Sequence, residues 1–176
     1  MKDVVARVSA TMQSRSADSF PVYFDYGLYV DVANNLYKGA LANESTYPLI
    51  WLVANRSSFK KGDTPYVFGR AKMDIIVAMP TNPAYTWEQR LAEVFKKRLV
   101  PVYSELMYQI GQTPAFCSPD PEAVLHDWEK KIYWGGAEAG QPNTKNYFSN
   151  FIDALQIQNM ELEVETHLPE RFKLNN

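Results

Sequence analysis

Two histidines, one cysteine, a glycine-rich stretch and a set of cations are where this 176-residue sequence has the residue types for chemistry. His126 and His167 lie far apart, and neither has a second ligand type at metal-binding spacing, so each reads as a solvated histidine. Cys117 stands between Phe116 and Ser118, and a thiol nucleophile needs a base that no histidine spacing here supplies. Being the only cysteine, it also excludes an internal disulfide and any multi-cysteine metal site. "GGAEAG" after "IYW" superficially looks like a phosphate loop, but it lacks the lysine and hydroxyl of a P-loop and the G-x-G-x-x-G pattern. The stretch reads as a mobile hairpin tip. Glu161, Glu163 and Glu165 alternate, which marks the solvated face of an amphipathic strand and not two opposed carboxylates. The expectation is therefore no catalytic residue, no cofactor and no metal.

The cations are more suggestive. Arg56, Lys60 and Lys61 crowd an expected hairpin loop, Arg70 and Lys72 follow on the return strand, and Lys96, Lys97 and Arg98 form a run on a helix. A cationic hairpin can face a polyanion, because phosphate contacts need charge but no base-reading geometry. The alternative is an ordinary solvated hairpin with gatekeeping lysines. A formal charge of -2 and a pI near 5.7 exclude a generic polybasic binder of nucleic acid or membrane.

The elements that must position these residues follow from periodicity. Residues 1–20 predict a short helix and a loop. "PVYFDYG" reads as a short strand or extended entry, and Leu28, Val32, Leu36 and Ala40 predict a helix over 27–42. "STYPLIWLVANRS" is a buried strand opened by Pro48. "RSSFKKGDTP" is the loop of a long hairpin, and "YVFGRAKMDIIVAMP" is its return strand. Thr86 and Gln89 form a T-x-x-Q capping box ahead of the stripe Leu91, Phe95, Leu99, Val102, Leu106 and Ile110. Pro101 interrupts that stripe without breaking its phase, predicting one kinked helix that stops at Gly111. "TPAFCSPDPEAVLHDWEKK" is a proline-punctuated excursion, "KIYWGG" ends in a turn, and "YFSNFIDALQIQNMELEVE" is the last long strand.

That last strand changes parity. Leu155 and Ile157 are odd, whereas Met160, Leu162 and Val164 are even, and odd and even positions of one strand face opposite ways. A bulge at Gln158-Asn159 reconciles both sets with one core. The alternative is that the second half presents its apolar face to a neighbouring subunit. Together the elements predict an α+β fold: a mainly antiparallel β-sheet packed against one long kinked helix and a shorter one. The domain spans 21–166, with an N-terminal segment 1–20 and a tail 167–176.

The composition is 14% aromatic, which supplies either core or protein–protein anchors. No apolar h-region follows the N-terminus and the run Leu49 to Ala54 is too short to span a bilayer, so a chain made in the cytoplasm, without membrane contact, is expected. The sequons at Asn43 and Asn55 then read as chance.

Three stretches carry a resemblance: "TYPLIWLV"; "AMPTNPAYTWEQRLAEVFKKRLVPVYSELM"; and "KIYWGG" followed by "NYFSNFIDALQIQNMELEV". Across about positions 20 to 165 the chain resembles small virion proteins of tailed bacteriophages, including the crAss-like group: the head-to-tail connector (neck ring) and tail-terminator type. The resemblance implies an α+β subunit without an active site. It would close into a homo-oligomeric ring of about six or twelve copies. The ring would sit at the portal–tail junction, against portal, connector or tail-tube proteins, with genomic dsDNA passing through. Under that resemblance Arg56, Lys60, Lys61, Arg70 and Lys72 become candidate DNA-channel or inter-ring contacts. Trp134, Met160, Leu162, Val164, Leu168 and Phe172 become candidate subunit-interface residues, and the tail after Thr166 a candidate arm. The rival readings are a small ligand-binding or enzymatic α+β domain using the 135–143 loop, and a monomeric adaptor.

Overall fold

A computed structural model describes residues 1–15, 19–28, 32, 47–53, 57–61, 66–116, 124–134 and 151–167, with backbone alone at 57–61, 66–70 and 164–167. The helices are α1 (Lys2–Ser14) and α2, which joins an α-turn Trp87–Gln89, a π-helical segment Arg90–Leu99 and an α-segment Val100–Gly111. The strands are β1 (Tyr23–Gly27), β2 (Leu49–Val53), β3 (Ser57–Lys61), β4 (Tyr66–Pro80), β5 (Asp127–Lys131) and β6 (Ile152–His167). They form one sheet in the order β1-β2-β4-β6-β5, with β3 also paired to β4. Among the described strands only β1 and β2 run parallel; the other pairings are antiparallel, giving an α+β fold with a mostly antiparallel sheet.

The sheet has a thick side and a thin side. On the thick side Ile50, Ile75, Val77, Leu155 and Ile157 meet Val4, Val5, Val8 and Met12 of α1 and Val94, Phe95, Leu99, Val102, Leu106 and Ile110 of α2. The thin side gathers Val32, Leu49, Trp51, Ile76, Ala78, Trp134, Ile152 and Ala154, with Trp51 edge-on to Trp134 at 5.4 Å. Central strands buried on both faces explain the continuous apolar run "PLIWLV", which has no alternation to read. Of the helix expected over 27–42, Val32 is described: it is helical and buried, and its N–H bonds Leu28 O at 3.2 Å. Gly27 instead closes β1 and Leu28 directly follows it, so that helix does not begin at 27; the rest lies outside the described residues. Arg7 ties α1 to the end of α2, its Nε donating to Gln109 Oε1 at 2.7 Å and its guanidinium to Thr113 Oγ1 at 2.6 Å.

The bulge stands where the parity shift placed it. The β4–β6 register slips between Met73 and Ile75, so that Gln158 and Asn159 together oppose Asp74. Asn159 adopts φ 57, a left-handed value that asparagine tolerates better than most residues, and its N–H bonds Asp74 Oδ1 at 2.9 Å. Past that residue the parity inverts, and Met160 and Leu162 fall on the same core face as Leu155 and Ile157. All four are buried.

Two expectations are corrected in the hairpin and the excursion. The polar stretch 57–61 is not loop: it pairs with 67–71 as β3. β2 and β3 together lie along a single edge of β4, an arrangement that charge and polarity hide from a reading based on apolar runs. Within the proline-rich excursion Asp127–Lys131 forms an antiparallel strand with 154–158 of β6, although no alternation announces it. An edge strand can be polar because its side chains are half solvated.

The start of α2 matches the capping pattern in both directions. Gln89 N donates to Thr86 Oγ1 at 3.3 Å, and Thr86 N to Gln89 Oε1 at 2.9 Å. Hydrogen bonds from its own backbone N–H, and then from Thr86, hold the Glu88 carboxyl below its ordinary range, as suits an acid in a first turn. Pro101 sits where the winding reverts from π to α, in the first turn of the α-segment. Proline brings no N–H to the helix at that point, while Val100 N–H, one residue earlier, still bonds Phe95 O in the π pattern. The helix runs uninterrupted to Gly111; what changes at the proline is its winding.

Candidate functional site

Among the described residues, those with obvious chemistry do not converge. Cys117 and the 135–143 loop lie outside the described residues, as do Arg56, Leu168 and Phe172. Lys60, Lys61, Arg70, Val164 and His167 are placed by backbone alone, within β3, β4 and β6. The register sets Arg70 opposite Glu163 and Lys72 opposite Glu161, so two of the five candidate positions pair with acidic positions across the ladder. Lys72 Nζ lies 4.0 Å from Glu161 Oε1, both exposed. The proposed interface residues Trp134, Met160 and Leu162 are instead inside the subunit's own core. For Met160 and Leu162 the bulge is the reason, since it returns the second half of β6 to the face that α1 and α2 already cover; Trp134 packs on the opposite face, against Trp51.

His126 is not simply solvated. Val124 O can only accept, so Nδ1 donates to it at 2.7 Å and Nε2, in the neutral ring, accepts from the Tyr103 hydroxyl at 2.7 Å. Burial pushes the Tyr103 hydroxyl pKa up, which keeps it a donor. The Tyr103 ring then leans on Trp128 at 5.8 Å. The pair holds β5 to α2. Among the described residues no group of three His, Cys, Asp or Glu side chains is gathered to hold a metal ion. None of the described helices is long and apolar enough to cross a membrane.

One buried polar centre escaped the sequence reading entirely. Arg90 and Asp153 are both buried, and Arg90 Nη1 reaches both carboxylate oxygens, at 2.9 and 3.0 Å. The guanidinium also bonds Tyr133 Oη at 2.7 Å, the carbonyls of Asn82 and Tyr85 at 3.3 Å, and Thr81 Oγ1 at 3.4 Å. Asp153 Oδ1 accepts the Tyr133 N–H at 3.2 Å, which helps hold that residue at φ 50. No buried side-chain polar atom is left without a partner among the described residues. The π-winding explains why Arg90 is inside. Buried positions step 90, 94 and 95, 99, wider than the 3.6-residue α-turn, so Arg90 takes the inward place that α-periodicity assigns to Leu91. A helical wheel drawn at the α-period puts Arg90 off the core face.

What this centre supports is an apolar flank. Around β5, six large hydrophobic residues stay exposed: Trp87, Leu125, Trp128, Ile132, Tyr133 and Phe151. Leu125 is 78% exposed and Trp128 47%. Four of them lie in two sets of ring contacts. Lys130 Nζ lies 5.8 Å from the Trp128 ring and 5.9 Å from Phe95, and Phe95 is 6.3 Å from Trp87. Farther along, the Arg90 guanidinium is 4.3 Å from the Tyr133 ring, which meets Phe151 edge-on at 5.1 Å. Exposed aromatics flanked by cations have the make-up of protein–protein hot spots, not of a water-facing wall. A shallow cleft of about 250 Å³ near Tyr85, Glu93 and Lys97 is the alternative, but it is small and its charges are engaged, Lys97 with Glu93 at 2.6 Å. The sequence matches no known family model and no curated protein.

Proposed function

We propose that this protein is a non-enzymatic structural subunit that self-associates into a closed ring at the portal–tail junction of a tailed-phage virion, as a head-to-tail connector or tail terminator. The observation that supports it best is the group of exposed aromatics around β5, since an isolated soluble chain gains nothing by leaving Trp87, Trp128, Tyr133 and Phe151 in water. The resemblance of the strand, capped-helix and Y-W-G stretches to connector proteins supplies the setting. Its neighbours there are copies of itself, the adjacent portal, connector or tail-tube proteins, and the dsDNA that passes through the ring. In such a subunit the work is interface burial repeated around a symmetry axis, so each contact need only be modest.

Mass spectrometry and electron microscopy of purified phage particles test this reading. The expected result is the chain at fixed stoichiometry in tailed particles, as a ring between portal and tail. Its absence from finished particles, or turnover of a substrate by purified protein, overturns it.

A further inference from the structure

Eight of the nine large hydrophobic residues exposed among the described residues lie at the two ends of the sheet. Six flank β5; the other two are Tyr26, 70% exposed in β1, and Leu28, 60% exposed directly after it. Trp87 belongs to the start of α2 and reaches β5 through Phe95 and Lys130; the remaining one, Tyr108, lies farther along the same helix. β1 and β5 are the terminal strands of the order β1-β2-β4-β6-β5. Following the pairings across the sheet, β5 runs opposite to β1. Copies placed side by side in one orientation therefore bring β5 of one against β1 of the next in the antiparallel sense.

We propose that the two edges are halves of one contact: β5 of each subunit pairs with β1 of a second copy, with Lys131 opposite Asp25. This rests on the self-associating role above and specifies its geometry. The face each side chain occupies decides the register. Tyr26 stacks on Phe24, which packs against the helix-side core, so both are on the thick side; Trp128 and Lys130 are there too, through Tyr103 and Phe95. Opposed residues of an antiparallel pair share a face, so Tyr26 can meet Lys130 but not Lys131. Setting Asp25 against Lys131 places Leu28 opposite Trp128, Tyr26 opposite Lys130 and Phe24 opposite Ile132. Every apolar residue of one edge then meets an apolar partner or a cation that sits well over a ring. Setting Asp25 against Glu129 instead opposes two acids. A contact between two different edges is heterologous, and heterologous contacts close into rings when the rotation allows.

Cysteine pairs in the full-length Cys117→Ser chain test this. Directly opposed residues bring their Cβ atoms to about 4.5–5.5 Å, near enough for a disulfide after small adjustment. Chains carrying Leu28→Cys and Trp128→Cys separately are mixed, oxidised and run without reductant; a chain carrying both is oxidised alone. The expected result is mixed dimers from the first and a ladder of linked copies from the second. Tyr26→Cys with Lys130→Cys serves as a second pair, and thermal melting of the reduced chains checks that each is folded. Rings that give no ladder with either pair overturn the edge contact and leave the ring reading intact. So does a Trp128→Cys chain that links chiefly to itself, since that is a twofold contact. Folded chains that stay monomeric, at high concentration and with particles lacking the ring, overturn both.

Discussion

At the scale of single residues, Arg90 and Asp153 are the most consequential pair in the molecule. Each is buried, each compensates the other's charge, and around them hang the end of β4, the start of α2 and the Tyr133 turn. Replacing one partner leaves the other as an uncompensated buried ion, so Arg90→Met is expected to cost about 3–5 kcal/mol in urea unfolding. The double variant Arg90→Met with Asp153→Leu should recover much of that loss, because the penalty belongs to the orphaned charge and not to the missing attraction. Arg90→Lys should not recover it, as an ammonium cannot reach the carboxylate, a phenol and two carbonyls together. Tyr47 gives a pH signature. Burial pushes its hydroxyl up from 10.0 to about 12. A folded-state pKa above the unfolded value means the unfolded chain releases its proton first, so the stabilisation is complete below pH 10 and is lost as pH rises towards 12. The loss is on the order of 2 kcal/mol, at about 1.4 kcal/mol per unit. Tyr47→Phe should remove this part of the alkaline slope in denaturation midpoints measured across that range.

At the scale of elements, the bulge in β6 and the change of winding in α2 do related work. Each alters the period of an amphipathic element partway along, and each thereby decides which side chains are inside. In β6 one inserted residue turns Met160 and Leu162 inward and Glu161 and Glu163 outward. Deleting Asn159 should reverse that assignment for the rest of the strand, driving glutamates against α1 and α2. The expected outcome is an insoluble or unfolded chain, read by circular dichroism and the soluble fraction. Both Asn159→Gly and Asn159→Ala lose the exposed side-chain bond to Asp127, but glycine adopts φ 57 freely, so the alanine variant should be less stable than the glycine one by about 1–2 kcal/mol of strain. Retention of full stability on deletion would show that the parity argument fails.

At the scale of the whole molecule, stability and association are carried by different residues. The core lies between the sheet and two helices, whereas the exposed aromatics gather at the sheet's ends. Trp128→Ala is therefore expected to move the melting temperature only by a couple of degrees, since substitutions on exposed surface usually fall within about 0.5 kcal/mol. The same change should weaken self-association about tenfold or more, the behaviour of an interface anchor, measured by sedimentation. A large loss of stability without a change in association would place Trp128 with the core instead.

The sequence by itself determined the elements whose signal is local. The capping box at Thr86 and Gln89, the return strand from Tyr66 to Pro80, and the parity shift at Gln158-Asn159 all concern residues within a few positions of each other. Strand β5 and strand β3 were illegible because they are polar strands that exist through their neighbours: nothing in "DWEKK" or "SSFKK" is a strand until β6 and β4 offer a ladder. The Arg90–Asp153 centre was illegible for a similar reason. Its two members are separated by 63 positions, and the winding that turns Arg90 inward is not the one that a helical period assumes. So it is with the exposed flank: which aromatics are core and which face solvent is settled by what packs over them, and only the assembled sheet and helices decide that.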